Sequence, residues 1–349
     1  MSDSNESIKC TFDNAMGIIK KNPFSSFQQA LHSHFFSVMF LNVNTDRRLN
    51  GFIGKQYPHL APKIRAQKII DNVIANVKMN HLHCLEETDG EMREMIKEHS
   101  SSNSLICQEV KYNTSDGAFS YLIISKFEVL VKVFPLTVSG ERFDHTKRPE
   151  APKSRDEKSS QEYQNYQAEI LGDNFDKALV QVSFSLNGRT MHVYCAHLGL
   201  GVMARLNQSR KVVEIIKQHS IDQGIEFVFG GDINAFDPVS KTPALCVPQI
   251  EEFTNAGFEW ITKTLQCTFI AYPYDIVFKM SKEEQDEYFK LLNAQSEQFA
   301  KFCEDMLNKY GAEGGALDHI FTSVGLKCSL SLVDTEQVSD HYALVMTIL

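Results

Sequence analysis

A β-type apolar run, Ile225 to Phe229, stops at Gly230-Gly231 and then presents Asp232, Ile233 and Asn234. Gly-Gly punctuates extended structure, so these two polar side chains arrive at the end of a strand. The arrangement recurs along the chain. Ser37 to Leu41 leads to Asn42 and Asn44, and His83-Cys84-Leu85 leads to Glu86 and Glu87. Tyr194-Cys195-Ala196 leads to His197, and Asp318 opens a run to Ser323. Ser339-Asp340-His341 precedes the closing run from Tyr342 to Ile348. Carboxylates, carboxamides and imidazoles at successive strand ends are the material of a metal-assisted phosphoryl-transfer site.

The remaining pattern supplies the scaffold. Phe35 to Val43, His81 to Glu87, Ser104 to Val110 and Phe119 to Val133 read as strands. Leu179 to Leu186 and Met191 to His197 form a hairpin around Asn187-Gly188. Apolar positions at helical spacing (Ile64, Ile69, Ile70, Val73, Ile74, Val77) predict a helix over 61–80. Further helices are predicted over 91–99, 203–219 and 281–310. The last opens on a Ser281/Glu284 capping box and stops at Gly311. Residues 1–34 read as an N-terminal helical extension, and 141–165 as a charged, mobile loop. Strands outnumber helices and the two are interleaved, which favours one α/β domain over 35–349.

Charge and cysteine usage narrow the function. The 349 residues carry a net charge of −9, which argues against passive electrostatic binding to nucleic acid or an anionic membrane. A local basic patch or a bound cation then has to supply positive charge. The eight cysteines show no C-x-x-C pair, and several fall inside apolar runs, as expected of buried, reduced thiols in a cytoplasmic protein. The first six residues, Met1 to Glu6, lack the basic and apolar regions of a signal peptide. No apolar run approaches the ~18 residues of a membrane span.

Taken in order, the motifs are Asn42 after the first strand, Leu85-Glu86-Glu87 after a helix and strand, and Ala196-His197-Leu198. Gly231-Asp232-Ile233-Asn234, Leu317-Asp318-His319-Ile320-Phe321 and Ser339-Asp340-His341 follow. This series resembles the endonuclease/exonuclease/phosphatase superfamily over about residues 36–349. Arg205 and Gln208 match the family's Arg-x-x-Gln helix, and Thr268-Phe269 matches the Thr-Phe before its last motifs. The resemblance implies a four-layer sandwich of two packed mixed β-sheets flanked by helices. It also implies a magnesium cofactor (manganese as a substitute), bound by Glu87 with help from Asn42 and Asp340. Asp232 would orient and deprotonate the attacking water. Asn234 and His197 would contact the scissile phosphate. His341, oriented by Asp318, would stabilise the transition state. Asn44, Arg205 and Thr268 would be substrate contacts. The motif style is closest to tyrosyl-DNA phosphodiesterases and deadenylases, so the expected substrate is a nucleic-acid phosphodiester.

Competing readings stand beside this one. Gln108-Glu109-Val110 matches the usual metal-binding tripeptide better than Glu86-Glu87-Thr88 does. Position favours Glu87, because Glu109 leaves no room for a helix before the next strand. Gly172-Asp173-Asn174 follows no strand and reads as a turn. His81 and His83 read as packed or exposed rather than ligating. The helical insertion at 275–312 enters between site-bearing strands, where the family has a shorter connection. Glu86 stands where glutamine is usual. The alternative functions are a phosphomonoesterase acting on inositol phosphates or phosphoinositides, and an inactive interaction protein of the same fold.

Overall fold

The computed structural model describes residues 36–43, 62–74, 81–88, 90–111, 120–136, 177–186, 188–199, 202–234, 248–263, 265, 280–293, 317–333, 339, 341 and 343–349, with helical positions at 298, 302, 305, 306 and 309. The expected N-terminal extension, the charged loop at 141–165, the Gly172-Asp173-Asn174 turn, Asn44, Thr268 and Asp340 lie outside these residues.

Two six-stranded sheets face each other. In sheet A the spatial order is β11 (Cys328–Val333), β12 (Ala343–Ile348), β1 (Phe36–Asn42), β2 (His81–Thr88), β4 (Ser120–Ser125) and β3 (Ile106–Lys111). In sheet B it is β5 (Leu130–Pro135), β6 (Ala178–Leu186), β7 (Arg189–Ala196), β8 (Glu226–Asp232), β10 (Asp318–Thr322) and β9 (Glu259–Trp260). Five helices accompany them: α1 (Pro62–Lys68), α2 (Gly90–Ser102), α3 (Val202–His219), α4 (Pro248–Asn255) and α5 (Lys282–Asn293).

Side-chain alternation builds the layers. Phe36, Val38 and Phe40 of β1 join Leu82, Cys84, Tyr121 and Ile123 in the core between the sheets. Val180, Val182, Val193, Cys195, Val228 and Ile320 meet them from sheet B. The intervening residues Met39, Leu41, Leu85, Leu122 and Ile124 pack outward with Ala66, Ile69, Met92 and Ile96 of the α1 and α2 segments. Tyr194, Phe227, Phe229 and Phe321 pack outward from sheet B with Val212, Ile215, Ile216 and Phe253 of α3 and α4. This is the expected four-layer sandwich. All seven residues of β1 are buried, as a strand covered on both faces requires.

Two parallel pairs place the site. β1 runs parallel to β2, and β7 parallel to β8, each joined by a helical crossover. Their carboxyl ends point to one rim, where ligands bind in open α/β sheets. β10 runs antiparallel to β8 with Asp318 opposite Asp232, so it begins at that rim.

The structure corrects several element boundaries. The run from Phe119 to Val133 is two strands, β4 in sheet A and β5 in sheet B. The break falls at Lys126–Val129, where Ser125 Oγ donates to the Phe127 carbonyl at 2.7 Å. The helix predicted over 61–80 is α-helical only to Lys68 and continues as a π-turn from Ile69 to Ile74. α5 carries the predicted capping box: Ser281 N donates to Glu284 Oε2 at 2.8 Å and Glu284 N to Ser281 Oγ at 3.3 Å. Strands β9 and β11 and helix α4 lie outside the elements expected from the sequence, although Cys328 to Leu332 alternate apolar and polar residues. The cysteines at 84, 107, 195 and 328 are free thiols. Among the described residues no helix is long and apolar enough to cross a membrane.

The Gly-Gly pair has two distinct steric causes. A Cβ at Gly230 would lie 2.8 Å from the Phe40 ring of the facing sheet. Gly231 has φ 133°, and a Cβ there would lie 2.3 Å from Glu86 Oε1 and 2.4 Å from the Ala196 carbonyl oxygen. Phe40 is a side chain with some freedom to shift, whereas Ala196 O is backbone. Gly230→Ala is therefore expected to cost roughly 1–3 kcal/mol. Gly231→Ala should cost more, or prevent folding. Thermal unfolding of the two variants tests that order.

Candidate active site

At the rim, five strand ends converge on the Asp232 carboxylate. Its Oδ2 accepts a hydrogen bond from Asn42 Nδ2 at 3.0 Å, and its Oδ1 accepts from the Asn234 amide at 2.9 Å. Its own amide donates to Glu86 Oε2 at 3.2 Å, and its carbonyl accepts from Leu198 N at 2.9 Å. Asp232 thus ties β1 and β2 of one sheet to β7 and β8 of the other.

Two histidines flank this carboxylate. His197 Nε2 is 3.6 Å and His341 Nε2 is 3.9 Å from Asp232 Oδ2. Behind His341, Nδ1 lies 2.8 Å from Asp318 Oδ2 and donates to it, which turns Nε2 toward the cleft. Ser339 holds this loop against β1. Its hydroxyl donates to the Asn42 carbonyl at 2.6 Å and accepts from the His341 amide at 3.1 Å. The backbone of His197 is fixed by Tyr121, whose hydroxyl accepts the His197 N–H at 2.8 Å and donates to the Ala178 carbonyl at 3.1 Å.

The Asn234 loop is braced from α3. Arg205, buried, donates to the Asn234 carbonyl, and Asn234 Nδ2 donates to the Leu198 carbonyl at 2.9 Å. Gln208 Oε1 accepts the Gly199 N–H at 2.8 Å. The Arg-x-x-Gln pair therefore buttresses the loops after β7 and β8. Arg205, expected as a substrate contact, is buried here and donates to the backbone of this loop.

The Glu86-Glu87 pair departs from simple alternation. The pairing of β2 with β4 shifts register between Leu85 and Thr88, and Glu87 has φ 54°. Residues with positive φ other than glycine are rare, and such strain concentrates at functional sites. The bulge sends Glu86 inward between the sheets while Glu87 reaches the cleft, with Oε1 3.2 Å from His197 Nδ1 but without hydrogen-bond alignment. Asn234, with φ 52°, is a second such residue in the site. Glu109 lies elsewhere, on edge strand β3, paired with Arg93 at 3.3 Å and Lys97 at 2.5 Å. His83 is buried within β2, not at the rim.

Sequence reasoning missed Lys177, which stands just before β6 and is 7% exposed. Burial pushes its amine below the usual lysine range, while the charges of Glu87, Asp232 and Glu86 oppose that shift. Its amine is thus enclosed near the acids of the site. Its only sequence signal is a basic residue directly before an apolar strand. Burial lowers the His197 imidazole to about 3, with the Lys177 charge adding and Asp232 opposing. His197 is therefore neutral. Burial raises the Glu86 carboxyl to about 8, so it is largely a neutral acid at pH 7.

Among the described residues no three His, Cys, Asp or Glu side chains converge as a closed metal site. Magnesium asks for less, one or two carboxylates completed by water and phosphate. The partly exposed carboxylate of Glu87, beside His197 in the cleft, fits that open donor set.

No protein-family model matches the chain, and no curated protein matches it. Solved structures do. A D. rerio TDP2 complexed with a single-strand DNA product aligns over 91% of this chain and 100% of its own, with 14% identity and TM-score 0.52. The human Nocturnin catalytic domain with bound sulfate aligns over 90% and 93%, with 12% identity and TM-score 0.52. An endonuclease/exonuclease/phosphatase family protein from Bacteroides thetaiotaomicron aligns over 90% and 97%, with 13% identity and TM-score 0.53.

The buried acid and the buried imidazole leave opposite signatures in pH. Below about 6.5 the unfolded chain binds the His197 proton and the folded chain does not, so that contribution to stability falls as pH drops toward 3. Glu86 behaves inversely. The folded chain keeps its proton from about 4.5 to about 8, so its contribution is full below 4.5 and is lost as pH rises through 8. Glu86→Gln should therefore melt close to wild type at pH 5 and several degrees higher at pH 8.5, on the order of 5 °C. Melting curves across that range check it, and a constant offset contradicts it.

Proposed function

The chain has the fold of the endonuclease/exonuclease/phosphatase superfamily, and from that premise we propose that it is a magnesium-dependent phosphoesterase acting on a phosphodiester, with nucleic acid as the substrate class. One observation carries the reading. A single carboxylate, Asp232, is locked by Asn42 and Asn234 within 4 Å of two imidazoles, one of which is backed by Asp318. This is the equipment for activating a water and stabilising charge at a reacting phosphorus.

The roles proposed are those the family resemblance implies, and the geometry supports them. Asp232 has both oxygens restrained, so it is positioned to orient the attacking water and take its proton. His197 is neutral and directs Nε2 into the cleft, which suits hydrogen bonding to a non-bridging phosphoryl oxygen. His341 presents Nε2 from the opposite side, with Asp318 holding its ring, and stabilises the charge that develops as the bond to the leaving oxygen breaks. Asn234 orders the loop beneath the phosphate. Lys177 places a buried amine near these acids, where it suits hydrogen bonding to a phosphoryl oxygen. Glu87 would hold magnesium, with Asp340 and Asn42 contributing directly or through water. When bound, the ion offsets negative charge on the phosphoryl group and favours ionisation of water. Attack is in line and direct in this reading, with Asp232, restrained at both oxygens by Asn42 and Asn234, acting as the base on water.

The nucleic-acid reading is supported by the single-strand DNA product held by the D. rerio TDP2 whose fold this chain shares. Asn44 and Thr268 remain proposed substrate contacts, and the 275–312 insertion a proposed border of the cleft.

Hydrolysis of bis(p-nitrophenyl) phosphate with magnesium provides the test. Asp232→Ala and His341→Ala should each lower kcat by at least ~10²-fold with the fold intact. Lys177→Met should lower kcat/KM by roughly 10-fold or more. Glu109→Gln, in an edge ion-pair cluster, should stay within about twofold of wild type. Loss of activity in Glu109→Gln but not in Glu87→Gln reverses the metal assignment. Preference for p-nitrophenyl phosphate over the diester favours a phosphomonoesterase.

A further inference from the structure

We infer that Glu86 is a positioning residue for Asp232: its carboxyl, enclosed between the two sheets, fixes the Asp232 backbone and thereby the direction of the Asp232 carboxylate. The inference rests on the reading above that Asp232 acts on the attacking water.

Three observations carry it. First, Glu86 is completely buried, yet its carboxyl is engaged at both oxygens, Oε2 with the Asp232 amide at 3.2 Å and Oε1 with Cys195 Sγ at 3.0 Å. Secondly, the β7–β8 ladder ends at the Cys195–Gly230 pair, two residues before Asp232. Beyond that point Glu86 is the partner that receives the Asp232 N–H, and a buried amide without a partner is strongly disfavoured. Thirdly, Gly231 leaves no space between this carboxyl and the chain, so the contact has no slack.

The register makes the grip a double one. Asn42 and Glu86 are paired neighbours on β1 and β2. Asn42 holds the Asp232 carboxylate and Glu86 holds its backbone. Val43 N donates to the Glu86 carbonyl at 3.1 Å, which couples the two strand ends again. Sheet A therefore sets both where Asp232 sits and which way it points, although Asp232 itself belongs to sheet B.

A glutamine at 86 reproduces the arrangement, its carbonyl accepting from Asp232 and its amide facing Cys195 Sγ. A methionine fills the same volume and offers no comparable acceptor. The full-length chain carrying Glu86→Gln or Glu86→Met is compared with wild type in two ways. Hydrogen–deuterium exchange is followed at the Asp232 amide. Glu86→Gln should match wild type, whereas Glu86→Met should exchange at least ~10-fold faster there, with 226–230 unchanged. Turnover of bis(p-nitrophenyl) phosphate with magnesium should stay within about threefold for Glu86→Gln. It should fall roughly 30-fold or more in kcat for Glu86→Met, with KM within about threefold. If Glu86→Met does not fold, Glu86→Leu replaces it.

Wild-type protection and kcat in the apolar variant overturn the inference, as does a Glu86→Gln variant as impaired as Glu86→Met. If wild type hydrolyses no phosphodiester, the phosphoesterase reading fails, and the exchange comparison alone decides the positioning role.

Discussion

The Asp232 carboxylate is the constraint on which the rest of the site depends. A lone Asp at the end of a strand would fray with its loop, yet this one takes part in four hydrogen bonds from residues on both sheets. Those bonds can form only if β1, β2, β7 and β8 end at the same rim, so the packing of the sandwich and the geometry of the site are one requirement. Gly230 and Gly231 meet that requirement from the other direction, letting sheet B come close enough to touch Phe40 and Glu86. The hydroxyl of Tyr121 makes a second cross-sheet tie, from β4 to the backbone of His197 and Ala178.

Gathering this many acids would normally cost more electrostatic repulsion than a small rim can absorb. The structure limits it in three ways. Glu86 is buried as a largely neutral acid, the Lys177 amine is enclosed near the carboxylates, and Asp318 is directed at His341 rather than into the cleft. Among the described residues, Glu87 is the partly exposed acid beside His197, which supports its proposed place in a magnesium site of one or two carboxylates. His197 remains a neutral donor between Glu87 and Asp232 because burial outweighs the pull of Asp232 on its proton.

Much of this is legible in the residues. Period-two alternation running into Asn42, His197 or Asp232 marks strand ends, and Ser281 with Glu284 marks the start of α5. What is not legible depends on tertiary contacts. The bulge that turns Glu87 into the cleft is a backbone angle, and Glu-Glu-Thr reads the same with or without it. Lys177 looks like any basic residue at the head of a strand until the opposite sheet encloses it. Arg205 lies on the expected helix, but only the fold shows that its guanidinium donates to the Asn234 carbonyl. The Phe119–Val133 run reads as continuous because apolar residues persist through Phe127 and Val129, and the charges at Lys126 and Glu128 are the trace that the change of sheet leaves in the sequence.

The central claim is that the Asp232 node makes this fold a hydrolase of phosphodiesters. The most direct measurement is cleavage of end-labelled single-stranded DNA and RNA by wild type with magnesium, by wild type with EDTA, and by Asp232→Ala. Cleavage in the first reaction alone is the predicted result, and the product ladder then separates endo from exo action. Cleavage that persists in Asp232→Ala, or none of either strand by a protein that still binds magnesium, contradicts the account.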